Sequence, residues 1–453
     1  MKKTVKFLLA VLFCAALISL VACKNGSESS SDAVTRLTVT LVTAGSDGAA
    51  VSEEDLGDET EYYSVTGYTF SEADAAIVTN AENDADYYTD RYNGSRKDTD
   101  AYKKEKERYE ALKSFTVPAA VKVTVSESKL NLTAENLAAM DANGVIDLSG
   151  GAENAKTVYI RAIGADAFFN HNELETVAVG ETVKAIGSGA FNACANLKSI
   201  ELPFAGGKVG AVNGAKNFGY VFGTASYDGG VSVTQSYNLS GTATYYIPED
   251  LATVKIASEI GEYAFHGVTT IKSIENIALG EVIPAYAFNG CTGLKEVTLP
   301  AATKEIGEGA FGGCSNLVTV NFSALTSLET IGNAAFDDCS KLCYKEEGKA
   351  LVIPASVTFV GEGAFEHCTS IEKLTIGAAA TVRAKAFSGL SSLKDVTIAS
   401  GATLSANVFV NWSDFLTVHG SEDEFGHAFT GAYTADYGAA ANPIIKKNIA
   451  FGA

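Results

Sequence analysis

Residues 281–322 read EVIPAYAFNGCTGLKEVTLPAATKEIGEGAFGGCSNLVTVNF, and this stretch decides the fold because it contains the same pattern twice. Leu294, Val297 and Leu299 return 23 residues later as Leu317, Val320 and Phe322. A fixed period of about 20 to 30 residues is typical of a solenoid, in which each unit buries its apolar face only against its neighbours.

A phenylalanine marks each copy of the pattern. The alternating apolar run beside it has the period of a short strand with one buried face. The Ile-Gly-x-x-Ala-Phe turn that precedes it is too short for more than about one helical turn and directs the aromatic ring inward. The sequence therefore predicts a spine of stacked rings at Phe168, Phe191, Phe265, Phe288, Phe311, Phe336, Phe365, Phe387 and Phe409.

The pattern L-x-x-V-x-L-P followed by I-G-x-x-A-F-x-x-C-x-x-L, read at Leu294–Leu317, resembles the BspA-like (Treponema-type) leucine-rich repeat family of bacterial surface proteins. The resemblance covers about residues 158–420 and implies an α/β solenoid on the cell surface. The implied fold is a curved, right-handed leucine-rich repeat superhelix of about nine repeats of 22–25 residues. Members of this family often act in adhesion or coaggregation, and the resemblance brings no catalytic residue and no cofactor.

The first 22 residues have a basic start and an apolar run, as expected of an export signal. Leu20-Val21-Ala22-Cys23 resembles the bacterial lipobox, which implies cleavage before Cys23 and lipid on its thiol. Residues 23–33 then form the lipidated cysteine and a flexible, serine-rich tether. The expected location is the bacterial cell envelope, at the outer membrane or cell surface. The alternative is an ordinary signal peptide in which Cys23 is incidental.

The charge of the chain excludes two classes of partner. The net charge is −20, and without residues 1–22 there are 31 basic and 54 acidic residues. Such a negative field disfavours nucleic acid and any polybasic contact with a membrane. We therefore expect membrane attachment only through the lipid anchor.

Outside the repeats, pattern and composition divide the chain further. Residues 34–126 are predicted to form a small α+β domain, with strands at 33–43, 61–70 and 115–125 and helices after Ser71 and near 98–112. Residues 127–157, with a helix at 133–142 capped by Thr133, are expected to cap the solenoid, and residues 421–453 to close its far end. The repeats of residues 158–420 contain an insertion at 204–248. Residues 47–90 are acidic, either as a solvated face or as a calcium- or partner-binding surface.

Apparent chemical motifs lose their meaning in the repeat register. The glycines at 307, 309 and 312 match a dinucleotide fingerprint but lie on the repeated turn. Cysteines recur three residues after the phenylalanine and are interpreted as buried free thiols rather than disulfides: Cys194, Cys291, Cys314, Cys339 and Cys368. Cys339 and Cys343 alone are a weak zinc signal. We predict no enzyme, no metal and no cofactor.

Two surfaces are candidates for binding. Strand residues between the buried ones should face the concave side: Thr176, Glu201, Lys255, Glu275, Glu296, Thr298, Thr319, Asn321, Lys373 and Asp395. These side chains are mostly small, and none is an aromatic anchor. The surface therefore suits weak, multivalent adhesion to a protein of the host matrix or of another microbe.

The second candidate is the insertion, whose aromatic residues favour a carbohydrate ligand as the alternative: Phe218, Tyr220, Phe222, Tyr227, Tyr237, Tyr245 and Tyr246. We expect the insertion to set ligand choice and to be removable without loss of the fold. An envelope scaffold without a soluble ligand is the third hypothesis.

Overall fold

The structure is a computed structural model. It describes residues 35–43, 51–70, 72–83, 86–89, 94, 97–258, 260–275, 280–377, 380–399, 401–405, 408–409, 416–419 and 449–452. The export signal, Cys23, the tether and most of residues 421–453 lie outside the described residues.

The part of the chain before the repeats contains seven strands and four helices among its described residues. In chain order they are β1 Thr35–Thr43, α1 Glu53–Leu56, β2 Glu61–Tyr68, α2 Glu72–Asn83, α3 Asp100–Leu112, β3 Ser114–Val117, β4 Ala120–Val123, β5 Lys129–Thr133, α4 Ala134–Ala138, β6 Val145–Asp147 and β7 Lys156–Ile163. A mixed sheet has the order β5-β1-β2-β7-β4-β6.

Pro118 changes the predicted third strand. Instead of one strand over residues 115–125, β3 ends at Val117 and β4 begins at Ala120. Proline lacks the N–H that a ladder needs, and the two halves join different sheets: β3 pairs with a repeat strand, whereas β4 pairs with β6 and β7. The predicted Thr133 cap is confirmed, because Thr133 and Asn136 form a capping box. The helix ends at Ala138 rather than 142.

The N-terminal region and the first repeat share one core. The Tyr68 ring centroid lies 5.3 Å from that of Phe168, and His171 Nε2 lies 2.9 Å from the Tyr68 carbonyl oxygen. The predicted domain boundary at residue 126 falls between β4 and β5, which belong to the same sheet. Residues 34–126 therefore do not pack as a separate unit in the described part of the chain.

The repeats supply short strands and tight turns. The strands are β8 Thr176–Val179, β9 Ala185–Ile186, β10 Ser199–Leu202, β11 Gly230–Ser236, β12 Thr242–Pro248, β13 Thr253–Ile256, β14 Ser273–Glu275, β15 Val282–Ile283, β16 Glu296–Val297, β17 Glu305–Ile306, β18 Thr319–Val320, β19 Thr330–Ile331, β20 Ala350–Val352, β21 Phe359–Val360, β22 Lys373–Ile376, β23 Thr381–Val382, β24 Asp395–Ile398, β25 Thr403–Leu404, β26 Leu416–His419 and β27 Ile449–Gly452. Single 3₁₀ turns lie at Asn213–Lys216, Phe218–Phe222, Phe322–Ala324 and Glu347–Lys349.

Three parallel sheets run along the repeats. Their orders are β3-β8-β10-β13-β14-β16-β18, β15-β17-β19-β21-β23-β25 and β20-β22-β24-β26-β27. All nine predicted spine phenylalanines are at most 2% exposed. From Phe265 to Phe409, successive ring centroids are 5.2 to 5.7 Å apart. The predicted aromatic spine is therefore confirmed, and it holds neighbouring rungs, one per repeat, in register.

The predicted thiol ladder is also confirmed and has a role that the sequence did not indicate. The six described cysteines are free and buried. In five of them Sγ donates to the carbonyl of a spine phenylalanine on a preceding rung at 3.1 Å: Cys194, Cys291, Cys314, Cys339 and Cys368. A buried carbonyl without a donor is costly, so the thiol contributes a hydrogen bond as well as volume.

The insertion is packed into the solenoid, which overturns the expectation of a removable surface loop. In a regular rung the N–H of the spine phenylalanine donates to the carbonyl of the residue that precedes the spine phenylalanine of the next repeat. Phe288, for example, donates to the carbonyl of Ala310, which precedes Phe311, at 2.9 Å. Phe191 donates in the same way to Val221, and Phe218 to Ala264. The Phe218–Phe222 turn thus supplies a rung between Phe191 and Phe265.

The hairpin formed by β11 and β12 fastens this rung from outside. Gln235 is fully buried and bonds both Gly219 N and the Ala264 carbonyl, at 2.7 and 3.2 Å. Phe218, Phe222 and Tyr245 are buried as well. These three side chains hold the core together and cannot form the ligand surface that the sequence predicted.

Candidate binding surface

The outward side chains of the first parallel sheet form two rows across successive strands, and we call this surface the strand face. The strand register aligns one row as Ser114, Thr176, Ser199, Thr253, Ser273, Glu296 and Thr319. The other row contains Thr116, Ala178, Glu201, Lys255 and Glu275. The first row consists of serine and threonine except at Glu296.

The structure places most of the predicted strand residues on this face. Thr176, Glu296 and Thr298 are exposed, and Glu201, Lys255 and Thr319 are half-buried. Glu275 lies in the second row, although its side chain is outside the described part of the chain. Lys373 and Asp395 lie on the sheet that begins at β20, where they are adjacent at 3.8 Å. The predicted set is therefore split between two parallel sheets.

Asn321 differs from the other members of the set. Its amide donates to the Leu299 carbonyl at 2.9 Å and accepts from the Leu299 N–H at 2.8 Å. Both ends of the side chain are thus used to continue the strand ladder where β18 has ended. Asn321 therefore has a structural role and is not part of the candidate binding surface.

Ion pairs line the edge where the strands begin. Glu175 lies 2.9 Å from Lys198 and 3.4 Å from Lys113. Burial alone would raise the pKa of Glu175, but the two lysines outweigh it and the pKa lies below its ordinary value. On the later sheet, Glu372 bonds Lys349 and Lys394, which lowers its pKa to about 2. This edge is an alternation of charges rather than a patch of one sign.

The two parallel sheets meet at a loop that presents exposed apolar side chains. The Cys343 N–H donates to the Val318 carbonyl, so Tyr344 follows Thr319 in the first row. The ladder resumes when the Glu372 N–H donates to the Lys349 carbonyl, and β20 starts at the next residue. Tyr344 is 57% exposed and Val352, on β20, is 49% exposed. The strand face therefore has an aromatic anchor, contrary to the prediction.

Lysine side chains surround this loop. Lys349 Nζ lies 5.1 Å from the centroid of the Tyr344 ring, and Lys345 Nζ lies 3.4 Å from Glu296 on the strand face. Lys349 Nζ also lies 2.8 Å from Glu372, directly before β22, so the lysines connect the loop to both sheets. The sequence did contain a signal for it, because Phe336 and Phe365 are 29 residues apart whereas regular repeats are shorter by about six.

The insertion keeps four half-buried tyrosines at its surface, namely Tyr220, Tyr227, Tyr237 and Tyr246. Tyr227 donates to the Tyr246 carbonyl at 3.2 Å, and burial raises the pKa of Tyr227 well above its ordinary value. This hydroxyl is engaged within the hairpin. Among the described residues no helix is both long and apolar enough to cross a membrane.

Comparison with known proteins identifies the repeats. Residues 156–210, 258–346 and 327–423 match the BspA type leucine rich repeat region, in six copies. The unmatched stretch between residues 210 and 258 contains most of the insertion. No curated protein matches the sequence significantly.

Solved structures to which parts of the chain are similar come from several bacteria. A leucine-rich repeat protein from Bacteroides ovatus is 19% identical, with 70% of this chain and 73% of that chain covered and a TM-score of 0.32. A leucine rich cell surface protein from Faecalibacterium prausnitzii is 13% identical, with 91% and 99% covered and a TM-score of 0.27. The pneumococcal vaccine antigen PcpA is 14% identical, with 68% and 73% covered and a TM-score of 0.28.

Proposed function

Because the repeats of this chain belong to the BspA type of leucine-rich repeat, we propose that the protein is a cell-surface binding protein that holds a protein partner against its strand face. The observation that carries the proposal is the exposed pair Tyr344 and Val352 at the junction of the two parallel sheets. Large side chains that a partner can desolvate contribute most of the affinity of protein interfaces.

The rows of hydroxyl groups and mixed charges suit a partner that lies along the strand face. Exposed polar contacts of this kind each contribute little, and affinity then depends on many of them together. Such a surface fits attachment between cells or to a matrix, and we infer an adhesin from it. Binding rather than catalysis is the proposed activity.

Carbohydrate binding by the insertion loses part of its support, since Phe218, Phe222 and Tyr245 are buried. Aromatic faces must be accessible to pack against a sugar. A glycan that binds despite this burial would point to the four half-buried tyrosines of the insertion, so glycans belong among the probes.

Anchoring by lipid at Cys23 is the second part of the proposal, based on the Leu20–Cys23 tetrapeptide after an apolar run. Labelled palmitate should enter the wild-type protein in cells and should not enter Cys23→Ser. Equal labelling of both proteins would refute lipid attachment at this residue.

The binding proposal is tested with a panel of immobilised matrix proteins, whole bacterial cells and glycans, using the protein released from its anchor. For the probe that binds, Tyr344→Ala should weaken binding about tenfold or more, corresponding to about 1.4 kcal/mol or more. Phe169→Ala is the matched control, because Phe169 is 55% exposed and lies on a repeat turn rather than on the strand face. Equal losses in both variants, or binding unaffected by Tyr344→Ala, would refute the strand face as the site.

A further inference from the structure

The turns after Phe336 and Phe365 carry charged side chains on neighbouring rungs. Asp337 and Asp338 follow the first ring, and Glu366 and His367 follow the second. The two rings stack at 5.2 Å, and the Asp338 N–H donates to the Glu366 carbonyl at 2.9 Å. The solenoid therefore holds these side chains side by side on rigid backbone.

The same two turn positions are different elsewhere along the repeats. They contain no carboxylate in the other described turns, which read Phe169-Asn170, Asn192-Ala193, His266-Gly267, Asn289-Gly290, Gly312-Gly313 and Ser388-Gly389. The second position has a positive φ, for example 57° at Asp338 and 59° at His367. Glycine or asparagine meets that backbone requirement at least as well. The requirements of the turn do not explain why acids and a histidine occur on these two rungs.

The donor atoms of three of these residues converge. His367 Nδ1 lies 3.3 Å from Asp337 Oδ1 and 3.4 Å from Asp338 Oδ1. All three donor atoms lie within 4.8 Å of one another, and among the described residues no other such group of three occurs. Zinc–nitrogen and zinc–oxygen bonds of about 2.0 to 2.1 Å place tetrahedral ligands about 3.3 to 3.4 Å apart. The two separations from His367, which here are those of its ion pairs with the aspartates, are also those between ligands of a tetrahedral ion, and the exposed Asp338 side chain can rotate to bring the third separation into the same range.

The electrostatics of the cluster favour a cation. Asp337 and Asp338 are adjacent carboxylates beside His367, and the side chain of Asp337 is the less exposed of the two. Glu366 adds a third carboxylate to the same turns. A divalent ion would offset this accumulated negative charge.

We propose that Asp337, Asp338 and His367 bind one transition-metal dication of the zinc type. One imidazole nitrogen and two carboxylate oxygens are a donor set that zinc accepts, with the fourth position open to water. Calcium is a poorer fit, because it takes six to eight oxygen ligands. The thiols of Cys339 and Cys368 are not ligands, since each donates to a phenylalanine carbonyl in the core.

The site joins two rungs in the middle of the repeats. An ion that binds the folded rungs and not the unfolded chain stabilises the fold in proportion to its occupancy. The proposal therefore has two readouts, binding of the metal and a rise in melting temperature. Neither depends on the identity of the protein partner.

The test uses Zn²⁺ as the probe, with the chelator-treated protein in isothermal titration calorimetry. Asp338→Asn and His367→Asn are the test variants, because asparagine tolerates the positive φ and should preserve the turn. Glu305→Gln is the control, since it removes an exposed carboxylate of β17 far from these turns in sequence. Circular dichroism without metal verifies that all variants are folded.

We expect each test variant to bind one Zn²⁺ fewer than the wild type, or to bind it at least tenfold more weakly, and to lose the metal-dependent rise in melting temperature. Glu305→Gln should behave as the wild type. If the wild type binds no Zn²⁺, or if both asparagine variants bind it with unchanged stoichiometry and affinity, the proposal is wrong.

Discussion

Phe218→Ala tests whether the insertion is part of the core. Phe218 is fully buried, and its ring centroid lies 4.8 Å from that of Phe265 and 5.3 Å from that of Phe222. A side chain on a removable surface loop would have none of these contacts. Truncating it therefore distinguishes an inserted rung from a surface excursion.

The expected loss of stability follows from this burial. A buried phenylalanine removes about 150 Å² or more from water, which at about 25 cal/mol per Å² is about 4 kcal/mol. Measured truncations of buried phenylalanine cost about 3 to 5 kcal/mol, because a cavity remains. An exposed loop residue would cost about 0.5 kcal/mol or less.

Urea unfolding followed by circular dichroism measures the effect as a shift of the transition midpoint. Phe311→Ala is the matched core variant, because Phe311 is buried between Phe288 and Phe336 with centroid distances of 5.2 and 5.3 Å. Tyr237→Ala is the surface control, since Tyr237 is only half-buried within the same insertion. We expect Phe218→Ala to resemble Phe311→Ala. A midpoint for Phe218→Ala close to that of the wild type, together with a large shift for Phe311→Ala, would refute the packed rung.

Three further predictions concern thiols and protons. The six described cysteines should not react with a thiol reagent in the native protein and should all react after unfolding, and rapid native labelling of any of the six would contradict their burial. Cys314→Ala should lower the free energy of unfolding by about 1 to 3 kcal/mol, because it leaves a small cavity and removes the hydrogen bond to the Phe288 carbonyl. Because the Lys349 and Lys394 bonds lower the pKa of Glu372 to about 2 from 4.5, its contribution to stability is present above pH 4.5 and is lost as the pH falls towards 2. Melting curves should show a smaller acid-induced loss in Glu372→Gln, and an unchanged loss would show that solvent screens these pairs completely. Burial raises the pKa of Tyr245 to about 12 from 10, so its contribution to stability is present below pH 10 and is lost as the pH rises towards 12. Burial also raises the pKa of Tyr227 and Tyr286, so ultraviolet titration of the native protein should detect at least three tyrosines fewer ionising near pH 10 than in the unfolded chain, and one of these delayed tyrosines should be missing in Tyr245→Phe. Simultaneous ionisation of all tyrosines, or an unchanged delayed group in Tyr245→Phe, would contradict this.

The sequence by itself determined the repeat register and the residues of the core within each repeat. Phe288, Phe311 and Phe336 occupy equivalent positions, and an identical position in stacked units has an identical neighbour above and below it. The same argument placed Cys291 and Cys314 inside as free thiols, since their side chains point the same way on adjacent rungs. It also placed Thr176 and Glu296 in one outward row. Local periodicity suffices for these predictions, because each contact recurs with the period itself.

Only the tertiary structure decided which irregular segments join the stack. The Phe218–Phe222 turn lacks the Ile-Gly and Ala-Phe signals, yet hydrogen bonds to Phe191 and Ala264 make it a rung. Tyr344 becomes an exposed anchor because of two backbone hydrogen bonds on either side of it. Cys343 N–H pairs with the Val318 carbonyl of the first sheet, and the Lys349 carbonyl pairs with the Glu372 N–H of the later sheet. In both places the outcome depends on pairing between backbone groups far apart in the chain. A pattern of side chains does not predict such pairing, because every residue except proline has the same backbone N–H and C=O groups. Which of these groups form hydrogen bonds depends on the position of the neighbouring rung.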